Sequence, residues 1–137
     1  MDTSPRHILV AAAVVININN EILLINSPKR GWEIPAGRVE EGESLSAAII
    51  RETKEETGID IEIVRFCGVF QNVQDSVCST LFLGRPVGGE FRTSNESYEI
   101  GYFSIDEALS KITWRGFKEQ LEYCLNQTEP FLYEYNN

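Results

Sequence analysis

Apolar and polar positions along the chain switch between a period of two and a period near 3.6, which divides it into strands and helices. Residues 8–16 (ILVAAAVVI) are the longest apolar run and predict a strand over 7–18. A second strand follows over 21–26, and Asn19–Asn20 suits a tight hairpin turn between the two. Residues 31–34 (GWEI) read as a short strand ending at Pro35. From Ser44 the pattern changes. Leu45, Ala48 and Ile49 repeat at i, i+3, i+4, Ser44 suits the N-cap, and Gly58 suits the left-handed position after the last turn. One helix over 45–57 follows. Residues 59–70 (IDIEIVRFCGVF) alternate as a strand, residues 76–84 (SVCSTLFLG) form another, and Gly88–Gly89 marks a turn or bulge. A strand near 99–103 leads into a short helix, Ile105–Lys111, with Ser104 as its N-cap. A last helix over 115–126 turns Phe117, Leu121 and Cys124 or Leu125 inward. Strands interleaved with helices predict an α/β layered domain.

The 45–57 helix carries chemistry. Glu52, Glu55 and Glu56 stand at i, i+3 and i+4, so their carboxylates share one face and repel one another. A cation must offset them, and Arg51 alone is too little, which points to a bound divalent metal. With no His or Cys nearby, an all-carboxylate site suits Mg2+ or Mn2+ and not zinc. Mg2+ takes one or two carboxylates and completes its shell with water and phosphate oxygens, which points to phosphoanhydride hydrolysis.

Residues 37–59 (GRVEEGESLSAAIIRETKEETGI) set Gly37, Glu43, Arg51, Glu52, Glu55, Glu56 and Gly58 at fixed spacings, closed by Ile59. This stretch resembles the Nudix box, G-x5-E-x7-R-E-U-x-E-E-x-G-U, where U is apolar. Seven specified residues would recur by chance on the order of once in 10^8 positions. Thr53 departs from the pattern at an apolar slot, which bears on packing more than on chemistry. Ala36 stands where many relatives carry Gly.

The resemblance implies a single Nudix hydrolase domain over residues 1–137, an α/β/α sandwich with the box as a loop–helix–loop. It implies catalytic metal at Glu52, Glu55 and Glu56, and a further ligand from the backbone carbonyl of Ala36 or Gly37. It implies that Arg51 pairs with Glu43 and pins the loop before the helix. The segment 95–109 (NESYEIGYFSIDEAL) resembles the Nudix stretch in which an acidic residue precedes a strand and short helix. Glu96 is the first candidate there for a further catalytic carboxylate, and Glu99 the second. The implied activity is Mg2+-dependent (Mn2+ substituting) cleavage of a nucleoside diphosphate linked to another moiety, X. Nucleoside triphosphates and nucleotide sugars such as ADP-ribose are both open. The alternative is a catalytically inactive Nudix-like module that binds a nucleotide. Dimers are common in the family, so a homodimer is compatible.

For base stacking the first candidates are Trp32 and Phe70, with Tyr98, Tyr102 and Phe103 behind them. Arg38, Lys29 and Arg30 are candidates for phosphate contact. The single His7 opens a strand, no P-loop or G-x-G-x-x-G is present, and a Ser-His-Asp triad is not supported.

Composition narrows the partners. The net charge of −9, from 12 basic and 21 acidic residues, disfavours a long nucleic-acid backbone. The longest apolar run is too short to span a bilayer and carries no cleavage pattern of a signal peptide. Cys67, Cys78 and Cys124 lack metal-binding spacing, and the first two lie in apolar strands as buried free thiols. A reducing cytoplasm is the expected location.

Overall fold

The computed structural model describes residues 2–95 and 99–136. Its elements run β1 (Ile8–Val15), β2 (Glu21–Ser27), β3 (Gly31–Glu33), β4 (Ala36–Arg38), α1 (Leu45–Thr57), β5 (Ile59–Asn72), β6 (Val77–Gly89), β7 (Glu99–Ser104), α2 (Ile105–Lys111), α3 (Arg115–Asn126) and β8 (Phe131–Tyr135). The strands form two sheets, one of five strands in the order β4-β1-β6-β5-β8 and one of three in the order β3-β2-β7. The larger sheet is mixed: β1 runs parallel to β6 and antiparallel to β4.

β1 explains the layering. Ala12 and Val14 join one core, with Phe117, Leu121 and Cys124 of α3 and Ala108 of α2. Ala11, Ala13 and Val15 join a second core, with Ala48 and Ile49 of α1. A strand covered on both faces needs apolar residues at every position, which is why its sequence reads as an unbroken run. The helices therefore flank the strands on two sides, as an α/β/α arrangement requires.

Four expectations change. β1 ends at Val15, and the turn after it spans residues 17–20: Asn20 N–H donates to the Asn17 carbonyl and Asn20 adopts φ 60°. β1 and β2 then part into different sheets, joined at the turn by one Ile16–Ile22 bridge, so they are not a hairpin pair. β5 and β6 run longer than predicted because they pair along their whole length, with bulges absorbing the mismatch. β4 and β8 were not anticipated. β4 is short and gains its hydrogen bonds from β1, while β8 gains them from β5.

Candidate metal and phosphate site

α1 is placed by its caps. The Ser44 hydroxyl accepts the Ala47 N–H at 3.1 Å, and Gly58 ends the helix at φ 82°. A Cβ on Gly58 would lie 2.0 Å from the Glu90 carbonyl oxygen, so both its backbone angle and its surroundings demand glycine. Thr53 is fully buried, and its hydroxyl donates to the Ile49 carbonyl at 2.7 Å. The departure from the box is thereby accommodated: the polar atom of this buried side chain is satisfied within the helix.

With the helix fixed, its acidic face meets β4. Glu56 is 5% exposed and accepts the Ala36 N–H at 3.1 Å. Glu52 packs on Gly37 so closely that a Cβ there would sit 2.1 Å from the Glu52 carboxyl carbon. Glu55 points outward, with its side chain 57% exposed.

Arg51 organises the rest. Its Nε and Nη2 grip Glu43 at 2.6 and 2.9 Å in a two-pronged pair, and Nη1 reaches Glu52 at 2.9 Å and Glu55 at 3.2 Å. Nη2 also donates to the Arg38 carbonyl at 3.2 Å, which ties the 39–44 loop and β4 to the helix. The guanidinium holds the Glu43 carboxyl at a pKa of about 2, with help from the Glu40 N–H. In return Glu43, then Glu52, raise the pKa of Arg51. Arg51 thus offsets more of the acidic face than its single charge suggested from sequence.

The donor set fits a hard divalent ion. Glu52 and Glu56 offer carboxylate oxygens, β4 offers backbone carbonyls, and the missing Cβ at Gly37 lets the Glu52 carboxyl group lie directly against β4. Among the described residues no three His, Cys, Asp or Glu side chains form a ready metal cluster. Arg51 draws Glu52 and Glu55 to itself instead. A sparse set of this kind matches Mg2+, which usually uses one or two carboxylates and keeps water and phosphate for the remaining positions.

Two cavities meet at β4. A polar cleft of about 450 Å³ is lined by Lys29, Arg30, Glu33, Arg38, Glu52 and Glu56. An apolar cavity of about 560 Å³ is lined by Val10, Val77, Trp114 and Phe117, and it shares Arg30, Ala36, Gly37 and Arg38 with the cleft. Arg30 is held over this junction by Glu33, whose buried carboxylate accepts its Nε at 2.7 Å and its Nη2 at 3.0 Å.

Arg38, Arg30 and Lys29, candidates for phosphate contact from the sequence, line the same cleft as Glu52 and Glu56. The sequence reading missed Glu33 and Trp114. Glu33 lies three residues after Arg30, a spacing that a turn can close into an ion pair. Trp114 is the N-cap residue of α3, and no local signal marks it as lining a cavity.

Trp32 and Phe70 line neither cavity. Trp32 meets Phe103 edge to face at 5.0 Å between ring centres, and Lys111 Nζ lies 5.1 Å over its ring. Phe70 is 2% exposed among Tyr123, Phe131 and Tyr133, so its ring is closed to a base. Phe70 belongs to the core, and Trp32 is half-buried and packed against it. Tyr102 packs on Phe91 at 5.5 Å. Glu96 and Tyr98 lie outside the described residues, although the neighbouring Asn95 lines the polar cleft. Glu99 is in β7, exposed, and accepts from the Asn26 amide at 3.2 Å.

This arrangement has close counterparts. The NUDIX domain family model matches residues 6–123. The chain belongs to the Nudix family. A MutT-like protein of Streptomyces ambofaciens is 33% identical to this Nudix chain over 109 residues, covering 79% of it and 71% of the relative. An ADP-ribose pyrophosphatase of Methanocaldococcus jannaschii is 33% identical over 108 residues, covering 73% of the chain and 64% of that protein. A crystal structure of a NUDIX hydrolase from Nitrosomonas europaea superposes with a TM-score of 0.86 at 26% identity, covering 98% of this chain and 81% of the other. The chain is a Nudix pyrophosphohydrolase with the family's mixed α/β fold. Among the described residues no helix is long and apolar enough to cross a membrane.

Proposed function

We propose that this Nudix enzyme hydrolyses the diphosphate linkage of a nucleoside diphosphate joined to a moiety X, with Mg2+ or Mn2+ at Glu52 and Glu56 and Glu55 beside them at the outer edge of the site. One observation carries the reading: the polar cleft holding the carboxylates shares Arg30, Ala36, Gly37 and Arg38 with an apolar cavity that has an aromatic wall. A diphosphate in the first and a nucleoside in the second is the substrate shape that uses both.

The chain's residues divide the work. Glu52 and Glu56, with a carbonyl of Ala36 or Gly37, hold the cation. Arg51 positions Glu52 and Glu55 while its grip on Glu43 fixes the loop. Arg30, oriented by Glu33, and Arg38 face the diphosphate from the junction and bind its oxygens. Trp114, 46% exposed and edge-on to Phe117 at 4.7 Å, is the cavity's aromatic candidate for stacking on the base. Bound metal would supply charge neutralisation on the bridging oxygens and a water of lowered pKa. Glu96 is retained as the candidate for a further carboxylate from the 95–98 loop.

The family contains both nucleotide-sugar and other nucleoside-diphosphate enzymes, and an ADP-ribose pyrophosphatase is among this chain's relatives. We place ADP-ribose first among substrates on that similarity. The three free cysteines support a reducing cytoplasm as the working location. Phosphate-release rates with Mg2+ over ADP-ribose, other nucleotide sugars and nucleoside triphosphates test the assignment. ADP-ribose should give the highest kcat/KM. A preference for triphosphates would keep the diphosphate chemistry and reverse the choice of X.

A further inference from the structure

We propose that Cys67 and Cys124 are an oxidation site that closes into an intramolecular disulfide between β5 and α3 within the native fold. Their sulfur atoms lie 3.3 Å apart although 57 residues separate them in the sequence. A disulfide needs an S–S distance near 2.05 Å, so a shift of roughly 1.2 Å closes the gap. Both thiols are buried.

The approach is built by the sheet. β5 and β6 shift register between Phe66 and Gly68, which makes Cys67 the extra residue of a bulge. A bulge re-aims a side chain, and this one sends the thiol toward the C-terminal half of α3. Arg65 holds that half in place: its Nη2 donates to the Cys124 carbonyl at 2.7 Å and the Gln127 carbonyl at 2.9 Å. Either thiol can donate to the other, and the nearby positive charge of Arg65 favours a thiolate in the pair, against the opposing effect of burial. Cys124 is pushed the other way, by Cys67 and by burial. In the proposed step Cys67 is the attacking sulfur and Cys124 the resolving one.

The oxidant is a peroxide. The Cys67 thiolate attacks one peroxide oxygen of hydrogen peroxide, forming an S–O bond as the O–O bond breaks, and the departing hydroxide takes a proton to become water. Cys124 then loses its proton and attacks the sulfenic sulfur, forming the S–S bond and expelling a second water. Two thiols and one peroxide give one disulfide and two waters. Burial makes the first step depend on local opening at the end of α3. The product staples to the sheet the helix that carries Phe117 and is preceded by its N-cap Trp114, so it holds one wall of the apolar cavity under oxidising conditions.

The test uses the whole chain with Cys78→Ser, which removes the third thiol. After treatment with hydrogen peroxide the intact mass should fall by about 2 Da, reversibly by dithiothreitol, and digestion should yield the Cys67 and Cys124 peptides cross-linked. The melting temperature of the oxidised protein should rise by roughly 5–10 °C, because a long loop is closed in the unfolded chain. Three results overturn the proposal. They are oxygen addition without a cross-link, thiols still unreacted when about 1 M urea promotes opening, and a cross-linked protein that melts at or below the reduced one.

Discussion

The Glu52 carboxyl group occupies the space that a Cβ on Gly37 would fill, with its carbon only 2.1 Å from that position. Gly37 is therefore required for the approach of helix to strand. Gly37→Ala should push Glu52 away from the cleft by about an ångström and lower kcat on the order of 100-fold. Circular dichroism should show the helix content unchanged. Wild-type turnover in a folded Gly37→Ala protein would remove Glu52 from the site.

Arg51 links loop, strand and helix through one guanidinium, half of it spent on Glu43. Arg51→Ala should reduce turnover and lower the melting temperature by roughly 3–8 °C, since the two-pronged pair is largely shielded from water. Arg51→Lys should recover part of the charge effect but not the fork geometry. Thermal melts and steady-state rates on both variants separate these contributions.

Glu43 gives that pair a pH signature. Its folded pKa of about 2 lies below the model-compound value of 4.5. A depressed pKa contributes stability that is present above 4.5 and lost as pH falls toward 2. Urea unfolding of wild type and Glu43→Gln should thus differ at pH 6 and converge as the pH approaches about 2. A gap that stays constant across this range would mean that Glu43 is not the titrating partner of Arg51.

Trp114 and Phe70 should separate cleanly. Trp114→Ala should raise KM about tenfold, the value of one base–aromatic stack, with kcat and melting temperature little changed. Phe70→Ala should do the opposite, destabilising the fold by about 3–5 kcal/mol while the KM of the folded fraction stays the same. An unchanged KM in Trp114→Ala would place the base elsewhere.

These contrasts show where sequence sufficed. α1 was readable to the residue because both ends carry local signals, Ser44 and Gly58, and its stripe is regular. α2 and α3 were also legible from Ser104 and from the Phe117, Leu121, Cys124 spacing. β8 was not, because residues 131–135 gain their strand character from pairing with β5 far away in sequence. The box gave the carboxylates and Arg51 by spacing alone. Trp114 was invisible to the same reasoning, since nothing local distinguishes a tryptophan lining a cavity from Trp32, which packs beside Phe103. Only the folding of α3 against β1 and β6 creates the cavity.

The central claim is that the acidic face of α1 holds the metal that drives diphosphate cleavage, and Glu56→Gln tests it most directly. Glutamine can still accept the Ala36 N–H, so the contact between β4 and α1 should survive. The substitution removes charge next to Glu52, which should leave the helix at least as stable. Steady-state hydrolysis of ADP-ribose with saturating Mg2+ is the measurement, with circular dichroism and excess EDTA as controls. Turnover should fall by two or more orders of magnitude in a normally folded variant, and wild-type activity should vanish in EDTA. A folded Glu56→Gln enzyme that turns over at the wild-type rate would contradict the account and favour a nucleotide-binding module without metal catalysis on this helix.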